Sequence, residues 1–255
     1  MEKEKDPQAE RKALRKSLRS GAGSEKDNIM FNLAEDFYLL ALDGEKGSLG
    51  GTISMTMQYL TAGAILIDLS ARGRVRLENG QLTAAGPAIM GDPVLDRAWE
   101  LLAQSKTALP PDKWVRQFTK QYKEFLALMT TRLMEKRVIK CVNKKILGIF
   151  PVKRYPLRRK RYKRELLREV RSAILRTRQP DERMMGMIRL VYISGLISQI
   201  FPRELQKKAK EKIKLLLKAD NIQVDTEQME RNIAKTVERM VTAKKIQHAA
   251  MHSGG

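Results

Sequence analysis

Asn32-Leu33-Ala34-Glu35-Asp36-Phe37-Tyr38-Leu39-Leu40-Ala41-Leu42 is the stretch on which the fold turns. Asn32 suits an N-cap, and Glu35 stands three positions on, where a capping box places its carboxylate. Leu33, Phe37 and Leu40 recur at helical spacing. The pattern predicts a helix that buries this face. A helix so apolar needs partners, and the sequence downstream supplies them.

Asp43 to Gly51 reads as a flexible glycine-rich loop. Ala64 to Leu69 alone could be a buried strand. The longer run Met55 to Ala71, with Ala62, Gly63 and Ala64 permitting close approach, favours a packed helix ended by Gly73. Arg74 to Thr83 alternates in polarity around Asn79-Gly80, the signature of a β-hairpin with a type I′ turn. Helices are expected from Pro93 to Gln104, after the Pro110-Pro111-Asp112 cap (carrying Trp114 and Phe118), and from Tyr122 to Lys136. Val138–Cys141 and Ile146–Phe150 read as two short strands joined by Asn143-Lys144-Lys145, a second hairpin. Four more helices are expected: Lys163 to Arg176, residues 182–201 behind Asp181, residues 203–218 with Leu205, Ala209, Ile213 and Leu216 inward, and Thr226 to Ala243. The fold class is mainly α: a single helical domain at residues 29–245, decorated by β-hairpins. Residues 1–28 read as a flexible charged tail and 246–255 as a disordered one.

The chain has 255 residues, 42% hydrophobic, enough for one domain with a substantial core. A single cysteine, Cys141, rules out an internal disulfide and fits a reducing compartment. Met1 to Asp27 mixes charges without an apolar run and does not read as a secretory signal.

The formal charge is +21, and it is concentrated: residues 136–178 hold seventeen basic and two acidic side chains. A cationic block this dense repels itself in the folded state, so it fits an anionic partner. The leading cations are Lys144, Lys145, Lys153, Arg154, Arg158, Arg159 and Arg161, and they are expected on one exposed face. Ile146, Leu147, Ile149 and Phe150 lie beside them. They read either as a membrane wedge or as the core-facing side of the hairpin.

Catalysis finds little footing. The two histidines, His248 and His252, sit in the expected tail without the glutamate of a zinc-protease motif. Cys141 lacks a base, no ordinary triad can form, and Gly44 to Gly51 lacks Walker spacing. The sequence is therefore read as a non-enzyme without cofactor or metal. Nucleic acid is the alternative partner. Tyr155 and Tyr162 could stack on bases, and the first hairpin, following a helix, is similar to the wing of a winged helix.

Several blocks together resemble the Golgi phosphoprotein 3 family: Leu33–Leu42, Gly63–Leu69, Arg72-Gly73-Arg74, Gly91–Asp96 and Leu133–Val138. Their order and spacing agree from about residue 29 to 245. The resemblance implies a mostly helical domain with hairpins. It implies a peripheral protein, cytoplasmic and reversibly bound to the cytosolic face of a membrane, whose eukaryotic relatives sit at the Golgi. Those relatives bind phosphatidylinositol 4-phosphate and short cytoplasmic tails of glycosyltransferases, as trafficking adaptors. A protruding hairpin, here roughly Arg137 to Tyr155, would serve membrane contact or homo-oligomerisation. The family's lipid site uses one tryptophan and three arginines. This chain has Ile53, Ala62, Lys123 and Leu126 there, and only Lys123 keeps the charge. Contact with anionic phospholipid through diffuse charge is thus expected rather than a specific headgroup pocket.

Overall fold

The computed structural model describes residues 31–88, 90–146, 149–175, 180–219 and 226–252. Asn32 to Gly255 make up one compact unit. The expected tail at 1–28 lies outside the described residues. Ten helices and two hairpins are described: α1 (Leu33–Ala41), α2 (Gly51–Ala71), β1 (Val75–Glu78), β2 (Gln81–Ala84), α3 (Pro93–Ala103), α4 (Pro111–Lys120), α5 (Tyr122–Glu135), β3 (Val142–Ile146), β4 (Phe150–Arg154), α6 (Lys160–Leu175), α7 (Glu182–Ser194), α8 (Ile197–Ile200), α9 (Arg203–Ala219) and α10 (Thr226–His252). The fold is mainly α.

Helix α2 is the axis. Every residue from Leu60 to Ser70 is buried, as expected of a helix enclosed on all sides. It packs against α1, α4, α7 and α10. The small residues explain how closely. A Cβ added at Gly63 would lie 2.5 Å from Val237 Cγ2 on α10. Trp114, Phe118 and Phe125 continue the core in edge-on pairs, with ring centroids 5.9 and 5.3 Å apart.

The expected capping box at Asn32 forms. Its Oδ1 accepts from Glu35 N at 2.9 Å, and Glu35 Oε2 accepts from Asn32 N at 3.0 Å. The first hairpin also forms, with Asn79 at φ 49° and Gly80 at φ 76°, the pair of positive angles a type I′ turn needs. It is fastened to the helices: Trp114 Nε1 donates to Leu82 O and Trp99 Nε1 to Ala85 O. Asp92 caps α3 as its proline suggested.

Four expectations change. The second hairpin is shifted: Asn143, Lys144 and Lys145 belong to strand β3 rather than to the turn. Pro151 lies within β4 opposite Lys145, at a sheet edge where an N–H is not required. Residues 182–201 do not form one helix. Gly195, at φ 80°, closes α7 and a short α8 follows. The segment expected to be a disordered tail is helical as far as His252. Pro110 and Pro111 start α4 without any side-chain cap bond.

Candidate lipid-contact site

The β3–β4 hairpin pairs only with itself. Its register sets Val142 opposite Arg154, Asn143 opposite Lys153, Lys144 opposite Val152, Lys145 opposite Pro151 and Ile146 opposite Phe150. Neither strand packs extensively on any helix. The apolar residues at its end are therefore left in water: Ile149 is 73% and Phe150 61% exposed. The core-facing alternative for these two residues is excluded. Leu147 falls outside the described residues, and of Ile146 only the backbone is described.

The cations around the tip are less orderly than expected. Opposite residues of an antiparallel pair share a face, and successive residues alternate. Lys144 and Arg154 therefore lie on one face, and Lys145 and Lys153 on the other. The expectation of one common face fails here, because a strand of period two divides consecutive cations. Lys144, Lys145 and Lys153 are exposed and Arg154 is half-buried. Arg158 and Arg159 are exposed at the root of the hairpin, where their backbone N–H groups donate to Val138 O. Arg161 is exposed on the first turn of α6, where it pairs with Glu165 at 2.7 Å. Lys123 is exposed at the start of α5. About 18 Å of helix separates it from the end of α5 that leads to the hairpin.

The root is clamped. Tyr155 N donates to Gly47 O at 2.8 Å and Leu157 N to Gly44 O at 2.9 Å. A Cβ at Gly47, which sits at φ 65°, would come within 2.2 Å of Pro156 N. The loop expected to be flexible is thus an ordered bracket. Asp43 organises it by accepting from Glu45 N and Lys46 N, and those two bonds hold its carboxyl below the usual carboxylate range.

The positions that the resemblance matched to a phosphoinositide site carry a single charge, on Lys123. Ile53 and Ala62 are 6% and 1% exposed. Nine residues apart on α2, they point to opposite sides of the helix. Leu126 is half-buried, and Lys123 remains a lone exposed cation among the four. No charged pocket arises from them. The stacking tyrosines of the nucleic-acid alternative are half-buried as well, and burial pushes the Tyr162 phenol up to about 12.

Two arrangements escaped the sequence reading. Lys163 Nζ donates to Leu40 O at 2.9 Å and to Leu42 O at 2.5 Å, a cation on the carbonyl end of α1. Burial lowers its pKa. Arg132 joins two buried carboxylates: NH1 lies 2.6 Å from Glu35 Oε2 and 2.5 Å from Asp92 Oδ2. Asn32 Nδ2 also donates to Asp92, at 3.1 and 3.2 Å to its two oxygens. Burial raises Glu35 to about 8 against the pull of Arg132, and Asp92 raises it further. The neighbouring Asp36, paired with Arg183 at 2.6 Å, is raised by burial to about 6. Among the described residues no group of three or more His, Cys, Asp or Glu is placed to hold a metal ion. No described helix is long and apolar enough to cross a membrane.

Asn32, Glu35, Asp92 and Arg132 lie in or beside three of the blocks that carried the resemblance. A family model for Golgi phosphoprotein 3 (GPP34) matches residues 33–241, most of the chain. The chain belongs to the Golgi phosphoprotein 3 family. Among curated proteins the comparison found no match. In this Golgi phosphoprotein 3 family member the buried polar cluster thus ties together three of the blocks that carried the resemblance, while the hairpin tip stands apart from it.

Proposed function

We propose that this chain is a peripheral membrane protein that binds anionic phospholipid through the β3–β4 hairpin. The observation that carries the reading is the exposure of Ile149 and Phe150 at the tip, with lysines on both faces behind them. An apolar tip in water has nothing to gain there. Moved into the interfacial region of a bilayer, a Phe side chain gains about 1.5–3 kcal/mol on full burial. Each Lys or Arg close to an anionic leaflet adds about 1 kcal/mol, weakened by salt. Cations on both faces of a strand suit insertion between headgroups, which surround a penetrating tip on every side.

Family membership supports a Golgi-associated trafficking role at the level of the family. A single cation among Ile53, Ala62, Lys123 and Leu126 favours recognition of negative charge over a particular headgroup. Adaptor activity toward short basic or polar cytoplasmic tails, and self-association through the hairpin, are parts of this proposal that rest on kinship alone. So is the absence of enzymatic activity.

The test is flotation with vesicles of neutral lipid, of neutral lipid plus phosphatidylserine, and of neutral lipid plus phosphatidylinositol 4-phosphate at matched charge. Binding should follow charge. Replacing Ile149 and Phe150 together by Ser should remove most of it without altering the fold. Unchanged flotation of that variant would refute the hairpin assignment. A strong preference for the phosphoinositide at equal charge would refute the diffuse-charge reading.

A further inference from the structure

Helix α9 carries a second arrangement of cations that the hairpin does not use. Arg203, Lys207, Lys210, Lys214 and Lys218 recur at spacings of four, three, four and four. At about 100° per residue these five fall within an arc of about 80°, along about 22 Å of helix. All five are exposed. None of the five side chains forms an ion pair or hydrogen bond among the described residues. The core-facing side of the same helix is held by Ala209 and Ile213, both fully buried.

The same helix also exposes leucine. Leu215 is 61% and Leu205 36% exposed, although the sequence pattern assigned Leu205 to the core. Leu215 lies three residues before Lys218 and seven after Lys208, which places it between cations on the outer surface. A helix with a basic stripe and an exposed leucine flanking it has the make-up of an interfacial helix, which lies in the plane of a headgroup layer. Nucleic acid would use the cations, but it offers an exposed leucine nothing on its phosphate backbone.

We infer that the outer face of α9, with Lys207, Lys210, Lys214 and Lys218 in one stripe and Leu215 at its edge beside Lys218, is a second docking surface for anionic membrane, separate from the hairpin. The inference rests on the membrane reading proposed above and extends it. Helix α9 is fixed in the fold by packing against α6, α7 and α8. Arg171 Nε donates to Ile200 O at 2.6 Å and ties α6 to the corner from which α9 starts. The surface is therefore rigidly presented rather than formed on binding. Two attachments on one rigid body multiply in affinity when both reach the same vesicle.

The experiment is flotation of the full chain with vesicles containing about one-third phosphatidylserine. Three variants are compared with the wild type: Lys207→Gln, Lys210→Gln, Lys214→Gln and Lys218→Gln combined; Leu215→Ser; and the Ile149→Ser, Phe150→Ser pair. A fourth, Glu211→Gln, removes an acid from the same face. The four-glutamine variant should bind at least about tenfold more weakly, with a shallower salt dependence. Leu215→Ser should weaken binding with the salt dependence kept, and Glu211→Gln should strengthen it. Wild-type affinity in the four-glutamine variant, alongside loss in the hairpin pair, would overturn the α9 surface and leave the hairpin intact. Loss in the α9 variants alone would overturn the hairpin and leave α9. If oligonucleotide retention falls in the four-glutamine variant while vesicle binding stays unchanged, the partner is nucleic acid and the inference is wrong.

Discussion

A single guanidinium nitrogen of Arg132 lies within 2.6 Å of a Glu35 oxygen and 2.5 Å of an Asp92 oxygen, and so joins the starts of α1 and α3 to the end of α5. Glu35 and Asp92 are both buried and the Arg132 side chain is 15% exposed, so water cannot replace the link.

Arg132→Met should therefore be strongly destabilising. Removing one partner of a buried charge cluster leaves the others uncompensated, at a cost of about 3–5 kcal/mol. Urea denaturation followed by circular dichroism should show a lowered midpoint with an unchanged slope. A loss below about 1 kcal/mol would mean that the two carboxyls are satisfied without Arg132.

The pH dependence of stability has a defined sign. Burial raises Glu35 from 4.5 to about 8 and Asp36 from 3.8 to about 6. For each, the folded state holds its proton more tightly than the unfolded state. Their contribution to stability is thus fully present below the unfolded pKa and is lost as pH rises toward the folded one. Between pH 4.5 and about 8 the Glu35 contribution falls. Glu35→Gln, which keeps an acceptor for Asn32 N–H, should flatten the stability profile over that window. The check is a series of thermal unfolding midpoints; parallel profiles for variant and wild type would contradict the assignment.

Close helix packing predicts a size-specific effect at Gly63. A methyl there meets Val237 Cγ2 at 2.5 Å, too near for either helix to absorb without moving. Gly63→Ala should cost about 1–3 kcal/mol, the range for overpacking. Adding Val237→Ala should return part of the loss, and a double-mutant cycle measures how much. Strict additivity of the two changes would show that they do not touch.

In the first hairpin, Gly80 adopts φ 76°, which a side chain resists. Gly80→Ala should destabilise by about 1 kcal/mol. An equal loss from Asn79→Ala is not expected on sterics alone, since asparagine and alanine both carry a Cβ at φ 49°.

Local chemistry made much of this architecture legible in the sequence. The Asn32–Glu35 box, the Asn79-Gly80 turn and the Asp92-Pro93 start are each decided by neighbours within four residues, and each appears in the structure. The second hairpin was harder, because Val138 and Ile139 are as strand-like as any residue in it yet are buried at its root. Only tertiary pairing, Val138 O with the backbone of Arg158 and Arg159, reveals where the strands begin. The candidate site divides in the same way. The apolar and basic residues of the hairpin were recognised from composition, but their distribution over two faces depends on a register that the turn sets. The Lys163 and Arg132 contacts span 40, 97 and 123 residues of chain, and no local pattern announces them.

Gly44 and Gly47 grip Tyr155 and Leu157 through main-chain bonds, and Gly47 leaves no room for a side chain against Pro156. The hairpin accordingly behaves as a spur set in a socket, not as a tether. Whatever seizes its end also dictates how the whole helical body is tilted. A replacement at Gly47 would loosen that posture while leaving every side chain at the far end untouched.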